Sequence, residues 1–182
     1  FEMGPVFRNE ESTDLHEPEF MMLEWYRENT PLNKIKDDVE NLIRELSKKF
    51  TPPNKEPKPL EFKHLTVKEL IKQAFKIEIE PTWQKTDYKA ALMIAGIDRQ
   101  LPPEPHQEAW MIDDYFFMLM QAAEQRMDQD KVYFISEYPP FQAAYSKLLP
   151  NGWAGRFEVY WKGMELANAF WEITDAKVQR ER

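Results

Sequence analysis

Arg8 and Glu10 stand two residues apart near the start of the 182-residue chain, and Phe20, Glu24 and Tyr26 follow a polar loop that holds His16. Side chains two apart on a β-strand share a face. With strands over 1–9 and 19–27 and a loop over 10–18, Arg8 shares a face with Glu10, and Phe20, Met22, Glu24 and Tyr26 share another. Such a hairpin presents a cation, two carboxylates and two aromatic rings on one surface. That set suits an anionic ligand with a flat ring better than it suits a buried core.

A second block, RFEVYWKGMELANAFWEITD over 156–175, has the same quality. Two strands around Gly163 put Glu158 on the face away from Phe157 and Val159. On the second strand Asn168, Phe170 and Glu172 share a face, and Glu165 lies near the turn. A carboxylate beside an aromatic ring and an amide can hold an ammonium group. Two carboxylates on paired strands can hold Mg²⁺, which takes oxygen ligands and phosphate company. The same alternation equally describes the solvated outer face of an amphipathic hairpin.

Other chemistries find less support. Without cysteine there is no disulfide, thiolate nucleophile or thiolate-bound zinc. His16, His64 and His106 are far apart and not at metal-ligand spacing. The five glycines form no phosphate-cradling loop, and no serine sits in a nucleophile elbow. A net charge of −8 argues against a general grip on nucleic acid. No apolar run approaches the ~18 residues of a membrane span, and the first residues lack a signal-peptide pattern, so a cytoplasmic, membrane-independent protein is expected. Because the chain opens at Phe1 within a strand pattern, it reads as a piece of a longer protein.

The elements that must position these residues are legible in outline. Pro31 opens a helix whose apolar stripe is Ile35, Val39, Leu42, Ile43, Leu46 and Phe50. A proline-rich connector over 51–60 follows. Thr66-Val67-Lys68-Glu69 has capping-box spacing and starts a second helix. A third is expected over 87–97 and a long, Met- and Phe-rich one over 107–128, its methionines filling core. A strand over 131–138, strands over 156–162 and 165–174, and a helix from Asp175 complete the pattern. Strands at both ends with helices between them predict one α+β domain over 1–182, an antiparallel β-sheet flanked by helices.

The two blocks, in this order and at this distance, resemble the catalytic domain of class II lysyl-tRNA synthetases. FRNEES, HEPEF and MLEWYR resemble that family's second class-defining motif, and 156–175 resembles its acidic strand pair. The likeness leans toward the elongation factor P–lysine ligase branch, through Glu11-Ser12, through 23–27, through Tyr138-Pro139-Pro140 with Gln142-Ala143-Ala144, and through ELAN at 165–168. The resemblance implies a class II synthetase-like fold and the cofactors ATP and Mg²⁺. It implies activation of lysine or β-lysine as the adenylate and transfer to a lysine of elongation factor P. The alternatives are a lysyl-tRNA synthetase core, with tRNA as acceptor, and a synthetase-like binding protein without catalysis. A homodimer is implied for the full-length protein.

The resemblance also implies roles. Arg8 would be catalytic at the ATP α-phosphate, Glu10 would meet the adenine amino group, Phe20 would stack on the ring, and His16 would reach the terminal phosphates. Glu158 and Glu165 would hold Mg²⁺. Glu24 would meet the substrate amino group, Asn168 its carboxylate, Tyr26 and Glu172 its side-chain ammonium, and Phe170 would wall the pocket. The chain departs from the family at Thr13-Asp14, Glu17, Phe141, Ala169 and Trp171. Of these, Ala169 and Trp171 are expected to reshape the lysine pocket, with Trp171 pointing away from it. The first and third class-defining motifs are expected outside 1–182.

Overall fold

The computed structural model describes residues 1–8, 17–50, 59–103 and 106–181. Glu10, His16 and most of the expected 51–60 connector therefore lie outside the described residues. Strands β1 (Glu2–Phe7) and β2 (Glu19–Glu24) form an antiparallel hairpin with Val6 opposite Phe20 and Glu2 opposite Glu24. This register puts Phe20, Met22 and Glu24 on one face, and Arg8 continues that face beyond Val6.

The strand does not run on to residue 27. Trp25 is drawn into a hydrophobic core beneath it, and Arg27 forks onto Asp38, with Nε–Oδ2 at 2.7 Å and Nη2–Oδ1 at 2.9 Å. The β1–β2 ladder ends with Glu2 opposite Glu24, and both ties hold the residues that follow elsewhere. Tyr26, expected to share a face with Glu24, instead lies outside the strand and is 78% exposed.

Asp38 belongs to α1 (Leu32–Lys49). Pro31 caps this helix in an extended conformation and does not enter its first turn. The larger sheet has the order β3 (Phe62–Thr66), β4 (Val132–Tyr138), β5 (Ala154–Trp161), β6 (Met164–Phe170). The last three strands are antiparallel, as expected; β3 adds a parallel edge. It was not anticipated, because Phe62–Thr66 does not alternate cleanly and its partner lies far along the chain. A parallel pair needs a crossover, and the helices α2 (Val67–Phe75), α3 (Lys85–Ala95) and α4 (Ile112–Glu124) provide it.

These helices start where side chains satisfy their first N–H groups. At α2 the capping box is complete: Glu69 N donates to Thr66 Oγ1 at 3.1 Å, and Thr66 N to Glu69 Oε2 at 2.8 Å. Asp87 accepts from Gln84 N at 2.7 Å, so α3 begins two residues before the expected position. Asp114 accepts from Met111 N at 2.6 Å, which starts α4 at Ile112 rather than at 107. A final helix, α5 (Ala176–Glu181), follows Asp175, whose Oδ1 accepts from the amides of Lys177 and Val178.

The larger sheet is covered on both faces. On one, α2, α3 and α4 bury Leu70, Ile71, Leu92, Phe116 and Leu119 against Ile135, Tyr138 and Ala154. Met120 and Met127 fill that core, as expected of the Met-rich helix. On the other face Val39 of α1 meets Val132, Phe134, Phe157 and Val159. The first face is apolar beneath the helices and turns polar toward β5 and β6.

Candidate active site

Regular alternation alone would not assemble this polar region. Ile135 pairs with Glu158, and Ser136 with Phe157, but Tyr138 pairs with Ala154. Gly155 and Arg156 of β5 together lie opposite Glu137, which stands at φ +59°, and the irregularity reverses the alternation of β4 beyond it. Tyr138 consequently turns onto the face of Glu158. A second shift lies in β6: Glu158 pairs with Asn168 and Val159 with Ala167, but Tyr160 pairs with Glu165. Leu166 is the residue passed over, so Glu165 joins the face of Asn168 although the two are an odd number of residues apart. The turn closing β5 and β6 holds Lys162 and Gly163 at φ +53° and +75°, the paired left-handed geometry of a tight hairpin.

Glu158 is the centre of the region and is only 5% exposed. Its Oε2 accepts from the Tyr138 hydroxyl at 2.6 Å and from the Tyr160 hydroxyl. Its Oε1 accepts from Arg156 Nη2 and, at 3.4 Å, from Asn168 Nδ2. A carboxylate has about four lone-pair positions, so the donors around Glu158 fill it. Burial and the Glu158 charge push both the Tyr138 and Tyr160 hydroxyls upward in pKa, which keeps them as neutral donors.

Two further carboxyls face this centre. Glu165 is pushed up to about 7 by burial and by the Glu158 charge, while Arg156, Arg8 and Asn168 pull it back. Glu124, at the end of α4, is pushed up to about 7 chiefly by burial, then by Glu158 and Glu165, against a hydrogen bond from Tyr160. Each carboxyl binds its proton more tightly folded than unfolded. Their contribution to stability is therefore complete below the ordinary 4.5 and is lost as pH rises to about 7. Glu124→Gln keeps an acceptor for Tyr160 and removes the charge. It is expected to stabilise the fold by ~1 kcal/mol near pH 8, after discounting for solvent screening, and to change little near pH 4. Thermal unfolding of both proteins at the two pH values checks this; equal melting points near pH 8 contradict it.

On the hairpin, Arg8 lies near enough for its charge to lower the Glu165 pKa. Arg8 N donates to Pro18 O at 2.9 Å, tying the residues just beyond the β1–β2 ladder, and its guanidinium lies 5.3 Å from the centroid of the Phe20 ring. The structure thus gathers Arg8, Phe20, Glu158, Glu165, Asn168 and Phe170. No hydrogen bond or ion pair among the described residues joins Glu24 or Tyr26 to them; both are exposed. Glu172 follows β6, half-buried, where its backbone bridges to Ser146.

One expected pocket residue is elsewhere. Ala169 pairs with Phe157 and packs in the core under α1, because it alternates with Asn168 and Phe170. It cannot reshape a pocket on the opposite face. Trp171 is also turned away, as expected: its Cβ lies 3.3 Å from the point where a Cβ on Gly155 would stand. Any side chain at Gly155 would also press on Lys147 O at 3.2 Å.

Sequence reasoning passed over Arg156, Tyr138, Tyr160 and Glu124 as site residues. Arg156 and Tyr160 carried a usable signal, since each stands two residues from Glu158 on one strand. The others did not, because a bulge and a tertiary contact bring them in.

The donor set suits a hard cation in type. Glu158 and Glu165 share a face, and the charge of the first raises the second, as expected of carboxylates without full compensation. Among the described residues no three acidic or histidine side chains form a metal cage. An ion here would rely on two protein carboxylates plus ligand oxygens, the arrangement Mg²⁺ accepts with phosphates. Glu158 would first have to release a donor, and Tyr160 has a second acceptor in Glu124.

Residues 1–182 match the family described as tRNA synthetases class II (D, K and N). The chain belongs to this family. Its mixed sheet flanked by helices is the class II fold expected from the sequence. Curated relatives of this class II chain include three proteins named elongation factor P–(R)-beta-lysine ligase. The one from Hamiltonella defensa is 29% identical over 184 residues, that from Salmonella gallinarum 30% over 187, and that from Vibrio parahaemolyticus 30% over 188. Each match takes 100% of this chain and 52% of the relative, so the class II chain spans about half the length of the curated relatives it matches. No described helix is long and apolar enough to cross a membrane.

Proposed function

We propose that the complete protein carrying this domain is an ATP-dependent ligase that activates lysine or β-lysine and transfers it to a lysine of elongation factor P in the cytoplasm, acting as a homodimer. The observation that carries this reading is the joint placement of Arg8, Phe20, Glu158, Glu165 and Asn168. The bulge at Leu166 brings the second carboxylate onto the site face, and Arg8 acts on it from the hairpin. The names of the relatives support lysine and elongation factor P as the substrates.

In the proposed reaction, a carboxylate oxygen of the amino acid attacks the ATP α-phosphorus, and pyrophosphate leaves. Arg8 stabilises the charge that develops on the α-phosphate, while Phe20 stacks on adenine and Glu10 accepts from its amino group. His16 reaches the terminal phosphates. Glu158 and Glu165 would hold Mg²⁺, which would supply charge neutralisation for the phosphates. Asn168 donates to the amino-acid carboxylate, Glu24 meets the α- or β-amino group, and Glu172 with Tyr26 holds the side-chain ammonium beside Phe170. The acceptor lysine amine then attacks the carbonyl of the adenylate, and AMP leaves.

One observation favours a second reading, a synthetase-like protein that no longer turns over: the donors around Glu158 already fill its oxygens. Titration calorimetry of the complete protein with ATP, with and without Mg²⁺, separates the two. The ligase reading predicts Mg²⁺-dependent binding that Glu165→Gln weakens about tenfold, the equivalent of ~1.4 kcal/mol. Absence of Mg²⁺-dependent nucleotide binding supports the second reading.

A further inference from the structure

Arg156 makes more contacts with the site than any proposed role accounts for. Its side chain is 13% exposed. Nε donates to Asn168 Oδ1 at 3.3 Å, Nη1 donates to Gln142 O at 3.0 Å, and Nη2 donates to Glu158 Oε1. The guanidinium also lies 4.7 Å from the ring centroid of Tyr138 and 5.3 Å from that of Phe170. One planar cation is thus fastened between two rings and three acceptors on different segments.

The bond to Asn168 has a chemical consequence. An Asn side chain has an accepting end and a donating end. A guanidinium can only donate, so Arg156 holds Oδ1 toward itself. The Asn168 NH₂ must then face the other way, and it does: one N–H points to Glu158 Oε1 at 3.4 Å, which leaves the second for a ligand. A donor at this position selects for an acceptor on the ligand, such as a carboxylate oxygen. With the amide turned over, the same position would present an acceptor and repel a carboxylate.

We propose that Arg156 is a positioning and specificity-determining residue, which fixes Asn168 with its NH₂ toward the substrate carboxylate and holds Phe170 as the wall beside it. The kinetic part rests on the lysine-activating reading above; the geometric part does not. Lysine cannot replace this arginine, because an ammonium is a point charge. It can keep the pairing with Glu158 but cannot span Asn168, Gln142 and both rings at once.

Two measurements on the complete protein test this. The first uses no ligand: ¹⁵N-resolved NMR of the Asn168 side-chain NH₂ in the wild type and in Arg156→Lys, and of the Arg156 Nε–H in the wild type and in Asn168→Ala. Each resonance is expected to shift and to lose protection from solvent exchange when its partner is changed. The second is steady-state exchange kinetics of Arg156→Lys. KM for the amino acid is expected to rise about tenfold, the worth of one hydrogen bond to a charged group, while KM for ATP stays within about twofold.

Resonances that ignore their partner overturn the proposal, as does an equal rise in both KM values, which a merely structural role would produce. A selective rise in the amino-acid KM together with coupled resonances supports it. If the wild type shows no lysine-dependent exchange, the ligase reading fails, and the resonances alone decide whether Arg156 orients Asn168.

Discussion

Replacing Glu172 by alanine is expected to abolish lysine-dependent ATP–pyrophosphate exchange in the complete protein while ATP binding persists. Trp171 turns toward Gly155, away from the site, so Glu172 alternates back to the side of Phe170. There it is half-buried, and its backbone is fixed by the bridge to Ser146 and by Ile173 N donating to Tyr145 O at 2.8 Å. On the proposed reading its carboxylate is the counter-charge for the substrate ammonium. Truncating one partner of a desolvated charge pair costs roughly 2–5 kcal/mol, much of it from leaving the other charge unpaired. The loss in kcat/KM should therefore reach about 10³-fold. Glu172→Gln, which keeps an acceptor without the charge, should fall between. Exchange at saturating ATP and varied lysine checks this, and a Glu172→Ala enzyme within tenfold of wild type removes the residue from the lysine site.

Arg8→Ala is expected to produce a loss of similar size at the other end of the reaction. Removing one fixed group that meets developing charge costs about 10²–10³ in kcat. Two secondary effects should accompany it. The Phe20 ring loses the cation 5.3 Å from its centroid, and Glu165 loses one of the charges that lower its pKa. Arg8→Ala should therefore also shift the proton uptake of Glu165 further upward, because the raising influences of burial and Glu158 remain. Arg8→Lys should recover part of the rate, since it restores a charge but not the fork. Single-turnover adenylate formation measures the chemical step directly, and an unchanged rate in Arg8→Ala contradicts the role.

How much of this was legible in the sequence follows from what a strand's two-residue period can show. The shared face of Phe20 and Glu24, and that of Asn168 and Phe170, follow from spacing alone, and the registers of β1–β2 and β5–β6 agree. The period fails wherever the ladder is broken. Glu165 is an odd number of residues from Asn168, and only the bulge at Leu166 makes them neighbours on one face. Tyr138 enters the site through the register shift opposite Glu137, and Tyr26 lies past the last ladder pair, Glu2 with Glu24, between Trp25 and Arg27, which are tied elsewhere. Bulges and ties of this kind depend on partners distant in sequence.

The same limit applies to the fold. Capping side chains set the starts of α2, α3 and α4, and Thr66 with Glu69 could be recognised in advance. The starts of α3 and α4 rest on Asp87 and Asp114, whose role was hidden by the apolar pattern around them. Ala169 shows the cost of reading a motif without its faces: its neighbours line the site, and it lines the core. The motif resemblance named the residues, but the geometry decides which of them can act together.

The central claim is that this surface activates lysine with ATP, and the most direct test is isotope exchange between pyrophosphate and ATP catalysed by the complete protein. Exchange is predicted to depend on Mg²⁺ and on added lysine or β-lysine, and to vanish in Glu172→Ala. A complete, folded protein that binds ATP yet shows no exchange with any lysine isomer would contradict the claim.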